Sequence, residues 1–229
     1  SRGLGDVYKR QYYNGIVPKV VAKVGEKVKA GSVLMIDKNR PEIKFVSPVS
    51  GEVTAVNRGE KRKVLSVVVK PEAQIEYEDF GKKNVASLKR EEVKEAILHA
   101  GMWPFIKQRP YDIVASPADE PRDIFVSAFY SAPLAPNFDF VVKGQEVDFQ
   151  TGLDALAKLT DGKVYVGIRK GSSVSVKGVE TVEVEGPHPA ANVGVQINHI
   201  KPINKGEVVW TVNPVSYTHL RAHETLRHL

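Results

Sequence analysis

The chain has 229 residues, 42% hydrophobic and 26% charged, ordinary globular values that argue against disorder and allow one large or two ordinary domains with cores of their own. It contains no cysteine, which excludes disulfides, thiolate nucleophiles and cysteine-ligated iron–sulfur clusters within it, and no apolar run approaches the roughly 18 residues that a membrane-spanning helix needs. Half of the +6 net charge sits at the two ends, +2 on residues 1–11 and +1 on residues 215–229; the +3 left on residues 12–214 is too small to argue for nucleic acid, and no basic stripe interleaved with aromatics runs through them.

Both ends lack apolar periodicity and join abruptly to well-patterned sequence, so residues 1–11 and 215–229 are read as non-native scars. Three of the six histidines, His219, His223 and His228, lie in the second. The i, i+4 pair His219/His223 has no acidic partner in ligand spacing, and no metal site is assigned to it. No signal peptide is visible, and a cytoplasmic face is expected.

Residues 17–69 contain themselves twice. Val24-Gly25-Glu26-Lys27 precedes the apolar run Val33-Leu34-Met35-Ile36, and Arg58-Gly59-Glu60-Lys61 precedes Val64-Leu65-Ser66-Val67-Val68-Val69. Each half predicts a short strand, a Gly-Glu turn and a second strand. Between them lie the bend Asp37-Lys38-Asn39-Arg40-Pro41 and the turn Ser47-Pro48-Val49-Ser50-Gly51. One such unit would leave its apolar face in water, so the repeat predicts a closed pair of small sheets. The stretches VGEKVKAGSVLMI and SPVSGEV resemble the barrel-sandwich hybrid of biotinyl and lipoyl carrier domains. Those domains present a modifiable lysine at the hairpin tip. Here the tip is Asn39-Arg40-Pro41, and arginine cannot form the acyl-lysine amide; Lys38 and Lys44 stand off that position. A structural barrel is expected, with the carrier as an alternative.

Residues 70–84 read as a strand end plus linker. Residues 85–100 predict a helix of about four turns with Ser87 as N-cap, Glu91 and Glu92 at the positive end, Leu88, Val93, Ile97 and Leu98 inward, and Gly101 as the stop. In residues 102–112, Trp103, Phe105 and Tyr111 interleave with Lys107 and Arg109. Such a loop either packs between domains or seats a planar or anionic group by stacking and charge. Residues 113–115 begin a strand, 116–122 turn, and 123–128 form a buried strand. Alternation of strand and helix predicts an α/β layer.

Residues 131–136 are a proline-rich loop. Strands are predicted at 138–142, 163–168, 174–176 and 182–185, and a helix at 149–159 with Leu153, Leu156, Ala157 and Leu159 inward. The turn from Gly186 through His188 and Asn192 to Gly194 can either aim amides at a phosphate or flavin ring or act as a rigid crossover. It is not G-x-G-x-x-G and no acidic residue follows at ribose distance, which disfavours an ordinary dinucleotide site. Residues 195–214 are apolar and turn-punctuated, with a hairpin turn predicted at Lys205-Gly206-Glu207.

Taken together, SPVSGEVTAVNRGEKRKVLSVVV, GMWPFIKQRPYDIVASPADEPRDIF, GPHPAANVGVQINHIKPINKGEVVWTVNP and the hairpin DKNRPEIKF resemble one family, the A-subunits of the bacterial sodium-translocating NADH:quinone oxidoreductases. Ala191 stands where that family usually has glycine. The resemblance implies a piece of a longer chain, on the cytoplasmic side of the bacterial inner membrane and peripheral to it. Its partners would be membrane and flavoprotein subunits of a complex that couples NADH oxidation and quinone reduction to sodium export. It implies no cofactor in this chain, with flavins and an iron–sulfur cluster in other subunits and quinone as a possible substrate.

The expected fold is mixed α+β and α/β: an all-β barrel-sandwich hybrid over residues 12–71, then an α/β layered domain over residues 72–214. The second is similar to the flavin domains of complex I and Rnf subunits, and a flavin-dependent NADH dehydrogenase domain is the other alternative. The candidates for docking partners near the quinone site are Trp103, Phe105, Lys107, Arg109, Tyr111, Gly186, His188, Asn192 and Gly194. No catalytic residue is assigned.

Overall fold

The computed structural model of the chain traces residues 6–9 as a strand and describes residues 13–60, 64–80 and 84–213 in full. Among the described residues one compact unit takes residues 6–80 together with residues 95–104, and a second takes residues 84–94 together with residues 105–213.

Among the described residues the first unit has seven strands: β1 (Asp6–Lys9), β2 (Pro18–Val20), β3 (Lys27–Val28), β4 (Val33–Asp37), β5 (Lys44–Val46), β6 (Gly51–Arg58) and β7 (Val64–Pro71). They form two sheets, in the orders β1-β7-β6-β3 and β2-β4-β5. The two-sheet barrel therefore stands, and so does the hairpin β4–β5 around the tip at residues 38–41. Its core is read straight from alternation: Val53, Val67 and Val69 turn inward to join Leu34, Ile43 and Phe45, while Glu52, Thr54 and Leu65 face out.

The two repeats differ in pairing. β6 and β7 form the expected antiparallel hairpin. The first repeat does not: β2 pairs with β4, while β3 leaves that sheet and pairs with β6. Gly25 N donates to Val53 O at 2.8 Å and Val53 N to Glu26 O at 2.9 Å, so the Gly25-Glu26 turn hands the chain from one sheet to the other. Closure requires that exchange, and a local repeat cannot reveal it. The N-terminal segment holds a strand where the sequence offers no period, because the open edge of β7 supplies the partners: Asp6 faces Val69 and Lys9 faces Ser66.

Residues 72–80 are no free linker. Ala30 bridges in parallel to Tyr77, Ala30 N donates to Glu76 O and Glu78 N to Ala30 O, both at 2.8 Å, and Ser32 Oγ donates to Glu78 Oε1 at 2.9 Å. The helix expected over 85–100 splits. Asn84, not Ser87, caps a 3-10 turn at Val85–Ser87, and α1 is Arg90–His99. Glu92 Oε2 accepts from Lys89 N at 2.7 Å, half of a capping box. Gly101 stops the helix as expected. At φ 70° it lets Met102 N reach Ile97 O and its own N–H reach Leu98 O, the Schellman pattern.

The second unit is built on a six-stranded sheet: β8 (Lys107–Arg109), β9 (Ile113–Val114), β10 (Ile124–Ser127), β11 (Val164–Arg169), β12 (Glu180–Val184) and β13 (Val209–Val212), in the order β12-β11-β10-β13-β8-β9. The first four of that order are mutually parallel, and β8 and β9 continue it antiparallel. All four residues of β10 and of β13 are buried, the mark of strands covered on both faces.

Helices α2 (Phe138–Val142) and α3 (Glu146–Lys158) connect β10 to β11, and α4 (Val193–Ile200) connects β12 to β13. On one face Val193 and Ile197 of α4 pack with Phe125 and Val209, flanked by Tyr165, Ile200 and Ile203. Two expected strands are absent. Residues 138–142 are helical because Asn137 Oδ1 caps Asp139 N at 3.0 Å just after Pro136, which outweighs the β-branched pair Val141-Val142. Residues 174–176 are an irregular connection without ladder partners, and the turn before Glu207 leads from α4 into β13 instead of closing a hairpin. The sequence also predicts α3 three residues short and misses α4.

Candidate functional site

In the first unit the hairpin tip is tied inward. Asp37 is fully buried; its Oδ1 accepts from Val17 N at 3.1 Å and Asn39 N at 3.2 Å, and its Oδ2 takes Arg40 Nε at 2.9 Å. Arg40 Nη2 donates to Gly15 O at 3.2 Å. The side chain at the tip thus folds back onto the N-terminal stretch instead of projecting into solvent, as a carrier lysine must.

The aromatic–basic run of residues 102–112 is split between the two units. Trp103, in the first, is 0% exposed on a 3-10 turn (Trp103–Phe105) and presents no ring to a partner. This enclosure corrects the placing of Trp103 among the docking candidates and agrees with the packing alternative for that residue. An indole that large contributes most to the fold when removed from water. Phe105 is half-buried and opens the second unit. Lys107 and Arg109 lie on β8, both partly buried, and Tyr111 is 80% exposed at the β8–β9 turn. Asp112 follows it at φ 52°.

The second candidate segment stands against the carboxyl end of β10. Ser127 Oγ donates to Ala191 O at 2.8 Å and accepts from the side-chain amide of Gln196 at 3.2 Å. Ser131 Oγ accepts from Ala191 N at 3.0 Å and lies 3.1 Å from His188 Nδ1. The loop's amides are occupied at home: Ala190 N bonds Pro187 O, Asn192 N bonds Pro189 O, and Gly194 N bonds the Asn192 side chain at 2.9 Å. The phosphate-cradling geometry that the Gly186 loop suggested is therefore not formed by these amides. Asn192 is the N-cap of α4.

The parallel strands follow the chain order third, second, first, fourth, which reverses between β10 and β13. In such sheets ligands and partners gather beyond the strands' carboxyl ends at that reversal. The two candidate segments meet only through the Arg109 side chain: its backbone pairs with Val209 at the amino end of β13, and a Cβ on Gly194 at the start of α4 would lie 3.7 Å from Arg109 Nη1. Lys107 faces Thr211 and Arg109 faces Val209, on the side of the sheet that carries α4. Burial pushes the Lys107 ammonium down to about 8, with Asp112 opposing. Among the described residues no cluster of three or more histidine, cysteine or acidic side chains is arranged to hold a metal ion, and no helix is long and apolar enough to cross a membrane.

Two family models match this chain: the NqrA N-terminal barrel-sandwich hybrid domain over residues 7–72 and the NqrA second alpha/beta domain over residues 88–218.

The chain belongs to the NqrA family.

Curated relatives agree. The chain is 38% identical over 206 residues to the A-subunit of the Na(+)-translocating NADH-quinone reductase of Neisseria meningitidis serogroup A and to that of Vibrio atlanticus, and 37% identical over 205 residues to that of Hahella chejuensis. These alignments cover 87–88% of this chain and 46% of each relative, so the chain spans about half the length of the curated relatives it matches. The two matched NqrA domains correspond to the barrel and the α/β sheet described above. The residues at 215–229, including the His219/His223 pair, lie outside the described residues.

The network at Ser127, Ser131 and Gln196, and the helix that completes it, escaped the sequence reading. A signal was present: Asn192 followed by Val193, Ile197 and Ile200 is a cap and an i, i+4, i+7 stripe. The prolines and glycines just before it masked the period.

Proposed function

We propose that this chain serves within a Na(+)-translocating NADH-quinone reductase as a cofactor-free, peripheral part of the NqrA protein on the cytoplasmic side of the membrane, docking the membrane subunits near the quinone site. The observation that carries the reading is the pairing of family membership across both units with the β8–β9 turn, where an exposed phenol at Tyr111 stands beside Arg109 and Lys107. Phenol rings sit well at the headgroup level of a membrane, and cations meet acidic groups there. A neutral quinone wants a deep apolar slot with a donor, and His188 is exposed on a loop instead. The flavins and the iron–sulfur cluster belong, on this reading, to the partner subunits, in keeping with a chain that lacks cysteine.

The test is the Tyr111→Ala, Arg109→Ala double variant in the full-length parent protein, purified with its complex from detergent-solubilised membranes. Assembly is expected to weaken while NADH oxidation by the isolated flavoprotein subunit stays intact. Normal assembly with a selective rise in the KM for quinone would move the assignment from docking to a quinone site. Visible flavin absorbance in the purified chain would overturn its cofactor-free character.

A further inference from the structure

The sequence holds one Asn-Gly pair, Asn14-Gly15, and one Asp-Gly pair, Asp161-Gly162. Glycine after either residue leaves its backbone nitrogen open to the preceding side-chain carbonyl, because no Cβ shields it. The two pairs differ in their surroundings. At the second, Gly162 N donates to Thr160 Oγ1 at 3.0 Å and the Asp161 carboxylate pairs with Arg90, so nitrogen and carbonyl are both held in other bonds. Asn14 and Gly15 are exposed in a turn, and among the described residues neither the Asn14 side chain nor the Gly15 N–H makes a hydrogen bond. Gly15 stands at φ 78°, in the region that favours glycine. The turn leads directly into the contacts that hold the β4–β5 tip. Gly15 O accepts from Arg40 Nη2 at 3.2 Å, Val17 N donates to Asp37 Oδ1 at 3.1 Å, and Lys38 N donates to Val17 O at 2.8 Å.

We propose that Asn14 is a modification site, deamidated by attack of the Gly15 backbone nitrogen, and that this change loosens the hairpin tip. In the first step the Gly15 nitrogen bonds to Asn14 Cγ and gives up its proton. The Cγ–Nδ2 bond breaks, and Nδ2 leaves with that proton as ammonia. Water then opens the five-membered imide at one of its two carbonyls, leaving aspartate or isoaspartate at position 14. One water enters and one ammonia departs, so the conversion needs neither oxidant nor reductant. Both products place a carboxylate one residue from the carbonyl that Arg40 holds. Isoaspartate also adds a methylene to the backbone, which lengthens the chain just before Gly15 O and Val17 reach the tip. The Asp161-Gly162 pair, its groups engaged, stays as it is. This site lies in the first unit and does not rest on the docking reading, which concerns the second.

The experiment ages the folded 229-residue chain at pH 8, with a synthetic peptide of residues 12–18 as reference, and follows both by peptide mass spectrometry. Methyl transfer by an isoaspartyl methyltransferase reports the isoaspartate formed. The expected result is a gain of about 1 Da confined to the Asn14 peptide, with methyl acceptance there and none at Asp161. The folded chain should react within about tenfold of the synthetic peptide, since an exposed turn needs little opening. Asn14→Ser is expected to abolish methyl acceptance at that peptide. In the deamidated fraction the Lys38 amide should exchange with solvent faster than in the fresh chain, reporting a loosened tip. An Asn14 peptide that keeps its mass while the synthetic peptide deamidates overturns the proposal without recourse to any variant. Isoaspartate appearing as fast at Asp161 as at Asn14 overturns the account by local bonding. Unchanged Lys38 exchange after deamidation overturns the link to the hairpin tip.

Discussion

Asp123 shows how a single buried charge organises one end of the second sheet. It is 1% exposed at the start of β10, and its carboxylate takes Arg122 Nε and Lys201 Nζ at 2.7 Å and Lys163 N at 3.0 Å. Arg122 also pairs with Glu207 and donates to Pro202 O and Lys201 O, so one carboxylate ties β10, the β11 entry and the chain leaving α4. Burial alone would raise its proton affinity. The hydrogen bonds from Lys201, Lys163 and Arg122 win and hold it below the ordinary aspartate value of 3.8. A depressed carboxylate stabilises the fold above its unfolded value, and that contribution is lost as pH falls through the folded value. Asp123→Asn is expected to cost roughly 2–3 kcal/mol at pH 7. That is below the usual penalty for breaking a buried pair, because Lys201 is partly exposed and Arg122 keeps Glu207. Urea denaturation at pH 7 and below pH 3 checks this: the gap between the two proteins should shrink in acid, and an equal gap at both pH values would refute the ionic account.

At the scale of elements, the end of α1 is a local signal fitted to a tertiary constraint. Glycine at position 101 is demanded twice. Its φ of 70° disfavours any side chain, and an added Cβ would overlap Val46 Cγ1 on β5. Gly101→Ala is therefore expected to destabilise by roughly 2–4 kcal/mol, about half from the backbone and half from the overlap. A double-mutant cycle with Val46→Ala separates the two. The overlap predicts a coupling of about 1 kcal/mol or more, and additivity would leave the backbone as the whole cause. The same contrast between local and tertiary control explains which elements were legible. Gly101 stopped a helix on local grounds. The Gly25-Glu26 turn looked identical to Gly59-Glu60, yet one transfers the chain between sheets and the other sits in a hairpin. The strand expected at 138–142 failed because an asparagine cap and a preceding proline act before β-branching can.

For the molecule as a whole, the barrel keeps the shape of a carrier with an arginine in place of the lysine at its tip. Arg40 is held by buried Asp37 and by Gly15 O, so the residue in the carrier position is a tethered guanidinium and not a projecting lysine. Intact mass after co-expression with biotin and lipoate ligases is expected to match the unmodified chain, and a biotinyl or lipoyl adduct on Lys38 or Lys44 would contradict it. Much of this was written in the sequence: the doubled Val-rich runs and their Gly-Glu turns specified a two-sheet barrel, and alternating strand and helix patterns specified an α/β layer. These are short-range properties, set by side-chain period and turn chemistry, and they survive any arrangement of neighbours. What tertiary structure alone decided was exposure and convergence. Trp103 and Tyr111 are equivalent aromatics in a sequence pattern, yet one is enclosed and the other stands in solvent. Arg109 and Gly194 are 85 positions apart and meet because β8 pairs with β13 while α4 lies across the same face. Burial and long-range proximity depend on which surfaces close over one another, and no local period encodes that.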